Sequence, residues 1–148
     1  DFMEGCMELG GLLGDWQEDE IIELKKYGHA LGMAFQITDD IMDYRETAET
    51  TGKPVGNDLR EGLLTYPLLS IVNDGNKDKL LEDIKGLNNG GNEQDIIDYV
   101  IAQGGIDNTL AVADKYCKDA LAALAAVRDF SGKEFLVMAV ENLADRKV

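Results

Sequence analysis

Chemistry concentrates in the stretch Phe35-Gln36-Ile37-Thr38-Asp39-Asp40-Ile41-Met42-Asp43, followed a short loop later by Gly52-Lys53-Pro54-Val55-Gly56-Asn57-Asp58. On a helix, Asp39 and Asp43 stand four residues apart and Asp40 and Asp43 three apart, so the three carboxylates project from one face within a turn of ~5.4 Å. Like charges at this spacing repel by roughly 0.2–0.5 kcal/mol per exposed pair, and more in a partly dry site, so the cluster asks for a cation. Carboxylate oxygens without His or Cys select magnesium or a similar hard ion, which keeps several waters and binds substrate phosphates through its remaining positions. An acidic run on a helix is more often a solvated face. Here the aspartates sit among Phe35, Ile37, Ile41 and Met42, and a loop with two glycines and a proline carries Lys53 just beyond them. Carboxylates facing a loop lysine can grip both a metal and the diphosphate that the metal carries.

Three blocks in order, Phe35-Gln36-x-x-Asp39-Asp40-x-x-Asp43, Gly52-Lys53-Pro54-x-Gly56-x-Asp58 and Gly62-x-x-Thr65-x-Pro67, resemble the second aspartate-rich region of the trans-isoprenyl (polyprenyl) diphosphate synthases. Weaker similarity extends along the chain, including Cys6-Met7-Glu8-Leu9-Gly10 and Tyr27-Gly28-x-x-Leu31-Gly32. The resemblance implies an isoprenoid-synthase-like helical bundle that condenses an allylic diphosphate with isopentenyl diphosphate in a magnesium-dependent chain elongation, through an allylic carbocation-like state. By the same resemblance Asp39, Asp40 and Asp43 hold magnesium, directly or through water, Lys53 contacts the departing diphosphate, Gln36 lines the site, and Phe35 and Thr38 face an apolar cavity. It implies a homodimer, or a heterodimer with a small subunit. The family usually has lysine where this chain has Leu63, so one diphosphate donor is missing. The family also carries a first aspartate-rich motif, an earlier lysine and basic residues for isopentenyl diphosphate, none of which occurs in residues 1–148. The expectation is therefore the C-terminal part of a single all-α domain, without turnover by itself. The rivals are a class I terpene cyclase, whose Asn/Ser/Glu-type metal motif is not found, and a non-catalytic helical subunit or regulatory partner, against which the intact Asp39, Asp40, Asp43 and Lys53 argue.

Composition narrows the partners. With 29 acidic against 14 basic residues the net charge is −15, which disfavours nucleic acid and anionic membrane surfaces. The same charge repels a free diphosphate, so such a substrate has to be received by metal and a few placed cations. No apolar run approaches the ~18 residues of a membrane span, and the acidic start is unlike a signal peptide. The expected compartment is the cytoplasm, with at most transient membrane contact through a hydrophobic product. Cys6 and Cys117 form no CxxC pair and read as buried, reduced thiols. His29 stands without a second ligand or nucleophile and reads as structural or superficial.

The elements that must carry the aspartates read as helices throughout. Apolar spacing predicts a glycine-rich, close-packed helix over residues 1–14, entered in mid-pattern without a cap or initiator Met. Asp15 with Glu18 suggests a capping box, opening a long helix to about Tyr44 with Ile21, Leu24, Tyr27, Leu31, Ile41 and Met42 at a period near 3.6. Residues 46–58 read as a loop able to order over substrate. Thr65 is expected to cap a helix with Pro67 in its early turn, running through Val72. Further helices are expected over Lys77–Gly86 and Glu93–Gln103, the latter ended by Gly104-Gly105. Asp107 or Asn108 then opens a helix reaching Phe130, with an alanine-rich run suited to tight contact, and Ser131 caps the last helix. No segment alternates like a strand, so the class is all-α.

Overall fold

The computed structural model describes residues 2–45, 56–87 and 89–145, and they form eight helices without a strand. In chain order these are α1 (Phe2–Leu13), α2 (Glu18–Arg45), α3 (Asn57–Arg60), α4 (Tyr66–Leu69), α5 (Lys77–Leu87), α6 (Glu93–Ala102), α7 (Gly105–Ala125) and α8 (Lys133–Ala144). The described residues group into two compact units, the first drawn from residues up to Ile37 and from Ala111 onward, the second from Thr38 to Leu110. α2 and α7 each contribute to both.

In the first unit, Leu24, Tyr27, Ala30 and Ala34 of α2 pack with Cys117, Ala120, Ala123 and Leu124 of α7 and Val140 and Leu143 of α8. The small side chains let the helices approach closely, as the alanine-rich sequence implies. Tyr27, buried to 1 % exposure, satisfies its hydroxyl by donating to the Leu136 carbonyl at 2.9 Å. Close approach of α1 to α2 depends on Gly28: a Cβ there would lie 2.6 Å from the Met3 carbonyl oxygen. The tight packing expected of the α1 glycines holds for Gly11, the helix's buried residue, whereas Gly5 and Gly10 have open space around them. Cys6 is exposed, against expectation, because it lies on the open side of α1; Cys117 is buried as expected.

Several helix boundaries differ from the sequence reading. Asp15 adopts φ 52° in a turn, and α2 begins at Glu18 with Glu20 accepting the Gln17 N–H at 3.4 Å, so the reciprocal acid is two residues further on. Gly132 at φ 95°, not Ser131, occupies the cap position of α8. α7 starts at Gly105 and stops at Ala125; Phe130 instead packs edge-on against Trp16, over whose ring Arg128 lies at 4.5 Å.

In the second unit, Ile41 and Tyr44 of α2 pack with Leu59, Leu68, Ile71, Leu80, Ile96, Ile97, Val100 and Ile106. Asn92 caps α6 by accepting the Gln94 N–H at 3.2 Å. The chain reverses through Gly104 (φ 77°), and Gly105 gives α4 room, since a Cβ there would lie 2.6 Å from the Pro67 carbonyl oxygen. α4 is one turn, shorter than the expected run to Val72; the Ser70 hydroxyl donates to the Pro67 carbonyl at 2.9 Å where the helix ends.

Candidate functional site

The predicted aspartates lie on the last turns of α2, within the second unit. Asp43 takes three successive backbone N–H groups: Gly56 on its main-chain carbonyl at 3.1 Å, Asn57 on Oδ1 at 3.0 Å and Asp58 on Oδ2 at 3.1 Å. The cap position of α3 is Gly56, at φ 78°, which has no side chain, so a carboxylate 14 residues upstream supplies the acceptors that the helix start needs. A side chain at Gly56 would be strained by that φ and would also meet Ile97 Cδ1 at 2.9 Å. Asp40 acts in the same way on α4: its Oδ2 accepts the Tyr66 N–H at 3.1 Å. Thr65 does hold the cap position there, but its hydroxyl turns to the Tyr44 hydroxyl at 3.3 Å. Asp39 is exposed, and its carboxylate accepts no hydrogen bond among the described residues.

Electrostatics bind a fourth carboxylate to this group. The pKa of Asp58 is raised, first by partial desolvation and then by the charges of Asp43, Asp40, Glu61 and Asp39. Tyr44 is pushed up to about 12, mainly by burial, with Asp43, Asp40 and Asp58 adding to it against the Thr65 hydrogen bond. Asp39, Asp40, Asp43 and Asp58 thus share one negative field. Among the described residues no three His, Cys, Asp or Glu side chains are gathered into a ready-made cage for a metal. The donor chemistry nevertheless fits magnesium, an ion that takes one or two carboxylates and completes its octahedron with water and phosphate oxygens.

The other predicted site residues divide. Phe35 is 42 % exposed and Gln36 is exposed, whereas Thr38 is 4 % exposed and belongs to the buried interior. Lys53 lies outside the described residues, as does the rest of the expected substrate loop up to Val55. Leu63, at the position of the missing lysine, is half exposed, and its N–H donates to the Asp58 carbonyl at 2.8 Å. Tyr44 and Tyr66 were not singled out by spacing, and Asp58 stood in the second motif block without an assigned role. The available signal was Asp58 itself, an acid closing a glycine-punctuated loop after three others. His29 is half exposed beside Glu4, 4.0 Å away, consistent with a superficial role.

A bundle of helices carrying clustered carboxylates at a helix end, tied to a glycine-bounded loop, defines a class of protein, and the comparisons agree on which. The polyprenyl synthetase family profile matches residues 2–103, and the chain belongs to that family. It is 33 % identical over 138 residues to the octaprenyl diphosphate synthase of Escherichia coli, a match spanning 90 % of this chain and 42 % of the relative. The fold is similar to the crystal structure of heptaprenyl diphosphate synthase from Staphylococcus aureus, with a TM-score of 0.84 and 28 % identity over 99 % of this chain and 46 % of that one. It is also similar to a polyprenyl synthase from Caulobacter crescentus complexed with calcium and isoprenyl diphosphate, with a TM-score of 0.79 and 28 % identity over 99 % of this chain and 46 % of that one. The chain therefore spans less than half the length of these relatives, and its all-α architecture is the isoprenoid synthase fold.

Proposed function

We propose that this chain carries the diphosphate-ionising part of a prenyltransferase that elongates an allylic diphosphate with isopentenyl diphosphate. The observation that carries the reading is the shared field of Asp39, Asp40, Asp43 and Asp58, four carboxylates held close in a chain that belongs to the polyprenyl synthetase family. Such a concentration of like charge is costly without a counter-cation, and oxygen-only donors suit magnesium. The Caulobacter relative, with calcium and an isoprenyl diphosphate bound, supports a divalent ion and a prenyl diphosphate as the ligands.

When bound, magnesium would supply positive charge to the diphosphate as its C–O bond to the allylic carbon breaks. The protein's part is positional. The aspartates fix where that charge sits, Lys53 adds a cation toward the same leaving group, and Gln36 lines the approach. Phe35 contributes apolar surface that keeps water from the allylic cation, while buried Thr38 sets the rotation of the helix that presents them. Isopentenyl diphosphate then donates its double bond to the cation and loses a proton. A cytoplasmic homodimer, or a heterodimer with a smaller subunit, is the assembly this reading expects.

The test is a thermal or denaturant unfolding series with magnesium and inorganic pyrophosphate, separately and together. A ligand present at about 100 times its dissociation constant stabilises by about 2.7 kcal/mol, so the combination should raise stability where neither component alone does. Absence of that joint shift would sink the reading and favour a non-catalytic helical subunit.

A further inference from the structure

α3 is a single turn, and a helix that short has little stability of its own, so its direction is set by whatever it is fastened to. Its start is fastened to α2. Its end is fastened to α6, 33 residues further along the chain: Arg60 donates from Nε to Glu93 Oε1 at 2.9 Å and from an Nη to the same oxygen. We propose, resting on the prenyltransferase reading above, that Glu93 is a positioning residue for the diphosphate site. Through Arg60 it holds α3, and with it Asp58, where magnesium and diphosphate are received.

Glu93 opens α6, whose start is stiffened by its own cap, the Asn92 side chain accepting the Gln94 N–H at 3.2 Å. Glu93 and Ile97 lie one turn apart on one face of α6, and both come against Gly56: a Cβ on that glycine would lie 2.9 Å from Ile97 Cδ1 and 3.3 Å from Glu93 Cγ. Leu59, 2 % exposed, packs in the same cluster as Ile96 and Ile97. Apolar burial is non-directional and fixes how close the two helices lie; two guanidinium N–H groups on one carboxylate oxygen are directional and fix which way α3 turns. Hydrogen bonding from Arg60 also holds the Glu93 carboxyl below its ordinary range, which keeps the pair charged on both sides at neutral pH. Asp58 rides on this turn. Its pKa is raised first by partial desolvation and then by Asp43, Asp40, Glu61 and Asp39, so swinging α3 away would alter the charge that an incoming magnesium ion meets.

The experiment is calorimetric titration of inorganic pyrophosphate in the presence of magnesium, with ligand-free thermal unfolding alongside, on the parent protein, Glu93→Gln, Arg60→Gln and the double variant. Glu93→Gln keeps the size and helix position of the side chain and removes its charge. It should weaken pyrophosphate uptake by about three- to tenfold while the ligand-free midpoint stays within about 4 °C of the parent, because an exposed pair contributes little to stability. The double variant should lose no more affinity than Arg60→Gln alone, since two residues that act as one unit do not add. Losses that add in the double variant overturn the proposal. So does uptake in Glu93→Gln that is tighter than in the parent, which would make Arg60, once released, a diphosphate contact itself. A loss of uptake accompanied by a larger fall in the midpoint assigns Glu93 to stability alone and overturns the proposal too. If the parent binds pyrophosphate and Glu93→Gln matches it, the prenyltransferase reading stands and only this proposal falls. If the parent takes up no pyrophosphate with magnesium present, both fall together.

Discussion

Tyr27 and Tyr44 sit on the same helix, are almost fully buried, and both have the phenol pushed up to about 12, yet they keep different company. Around Tyr27 burial alone raises the pKa, and the hydroxyl is satisfied by a backbone carbonyl from α8. Around Tyr44 the carboxylates of Asp43, Asp40 and Asp58 add to burial, and the hydroxyl partner is a side chain, Thr65. Both ends of α2 are therefore packed by apolar surface, and the acidic end adds carboxylates gripping backbone amides. Apolar contacts fix a fold without exposing it to competition from ions; the acidic end is fixed by groups that a cation can also claim. Stability and ligand binding should accordingly separate along one helix.

The largest expected effect tests that separation from the apolar side. Leu124 is 1 % exposed in the core of the first unit, so Leu124→Ala should cost about 2–5 kcal/mol of stability in denaturant unfolding. Binding of magnesium with pyrophosphate, measured well below the unfolding range, should stay within about twofold of the parent. A large loss of binding in the folded variant would break the comparison. Asp39→Asn probes the other side. It should leave metal-free stability unchanged or slightly higher, since each relieved like-charge pair is worth roughly 0.2–0.5 kcal/mol. It should weaken the magnesium–pyrophosphate complex by about tenfold or more, equivalent to about 1.4 kcal/mol or more.

The tyrosines sharpen the contrast at smaller scale. Tyr27→Phe leaves the Leu136 carbonyl without its donor and should cost about 1 kcal/mol near neutral pH. The sign with pH follows from the raised pKa. The stabilising contribution of neutral Tyr27 is intact below the ordinary value of 10.0 and is lost as pH rises through the native value of about 12. Unfolding curves between these limits should therefore decline less steeply for Tyr27→Phe than for the parent. A parent curve no steeper than that of the variant would show that Tyr27 does not carry this penalty.

What the sequence disclosed follows the same division. Periodicity placed α2, α5 and α6 closely and identified Leu24, Tyr27 and Ile41 as interior, because core burial repeats every 3.6 residues. The caps were harder to read. Asp15, Ser131 and Thr65 were each the nearest eligible side chain, whereas the acceptors in use are Glu20 for α2 and, from far upstream, Asp43 and Asp40 for α3 and α4. Caps reaching across 14 or 26 residues leave no periodic trace. The aspartates were visible as a motif, but their unequal commitments were not, since helix spacing gives the three equal standing. The exposure of Cys6 was missed because residue type alone favours a buried thiol.

The smallest expected effect concerns Leu63, where the family resemblance leads one to look for a lysine. Its side chain is 51 % exposed and its N–H is tied to the Asp58 carbonyl, so Leu63→Lys exchanges an exposed apolar group for a cation without disturbing the core. Stability should change by less than about 0.5 kcal/mol. An exposed cation contributes roughly 0.2–1 kcal/mol to a neighbouring anion, so pyrophosphate binding in magnesium should tighten by up to about fivefold. Salt supplies the control: the gain should shrink at about 1 M ionic strength, where the Debye length falls to about 3 Å. A gain that persists at high salt would point to altered loop packing rather than charge. No gain at low salt would place this position away from the diphosphate, leaving the carboxylate end of α2 to receive it through metal and Lys53.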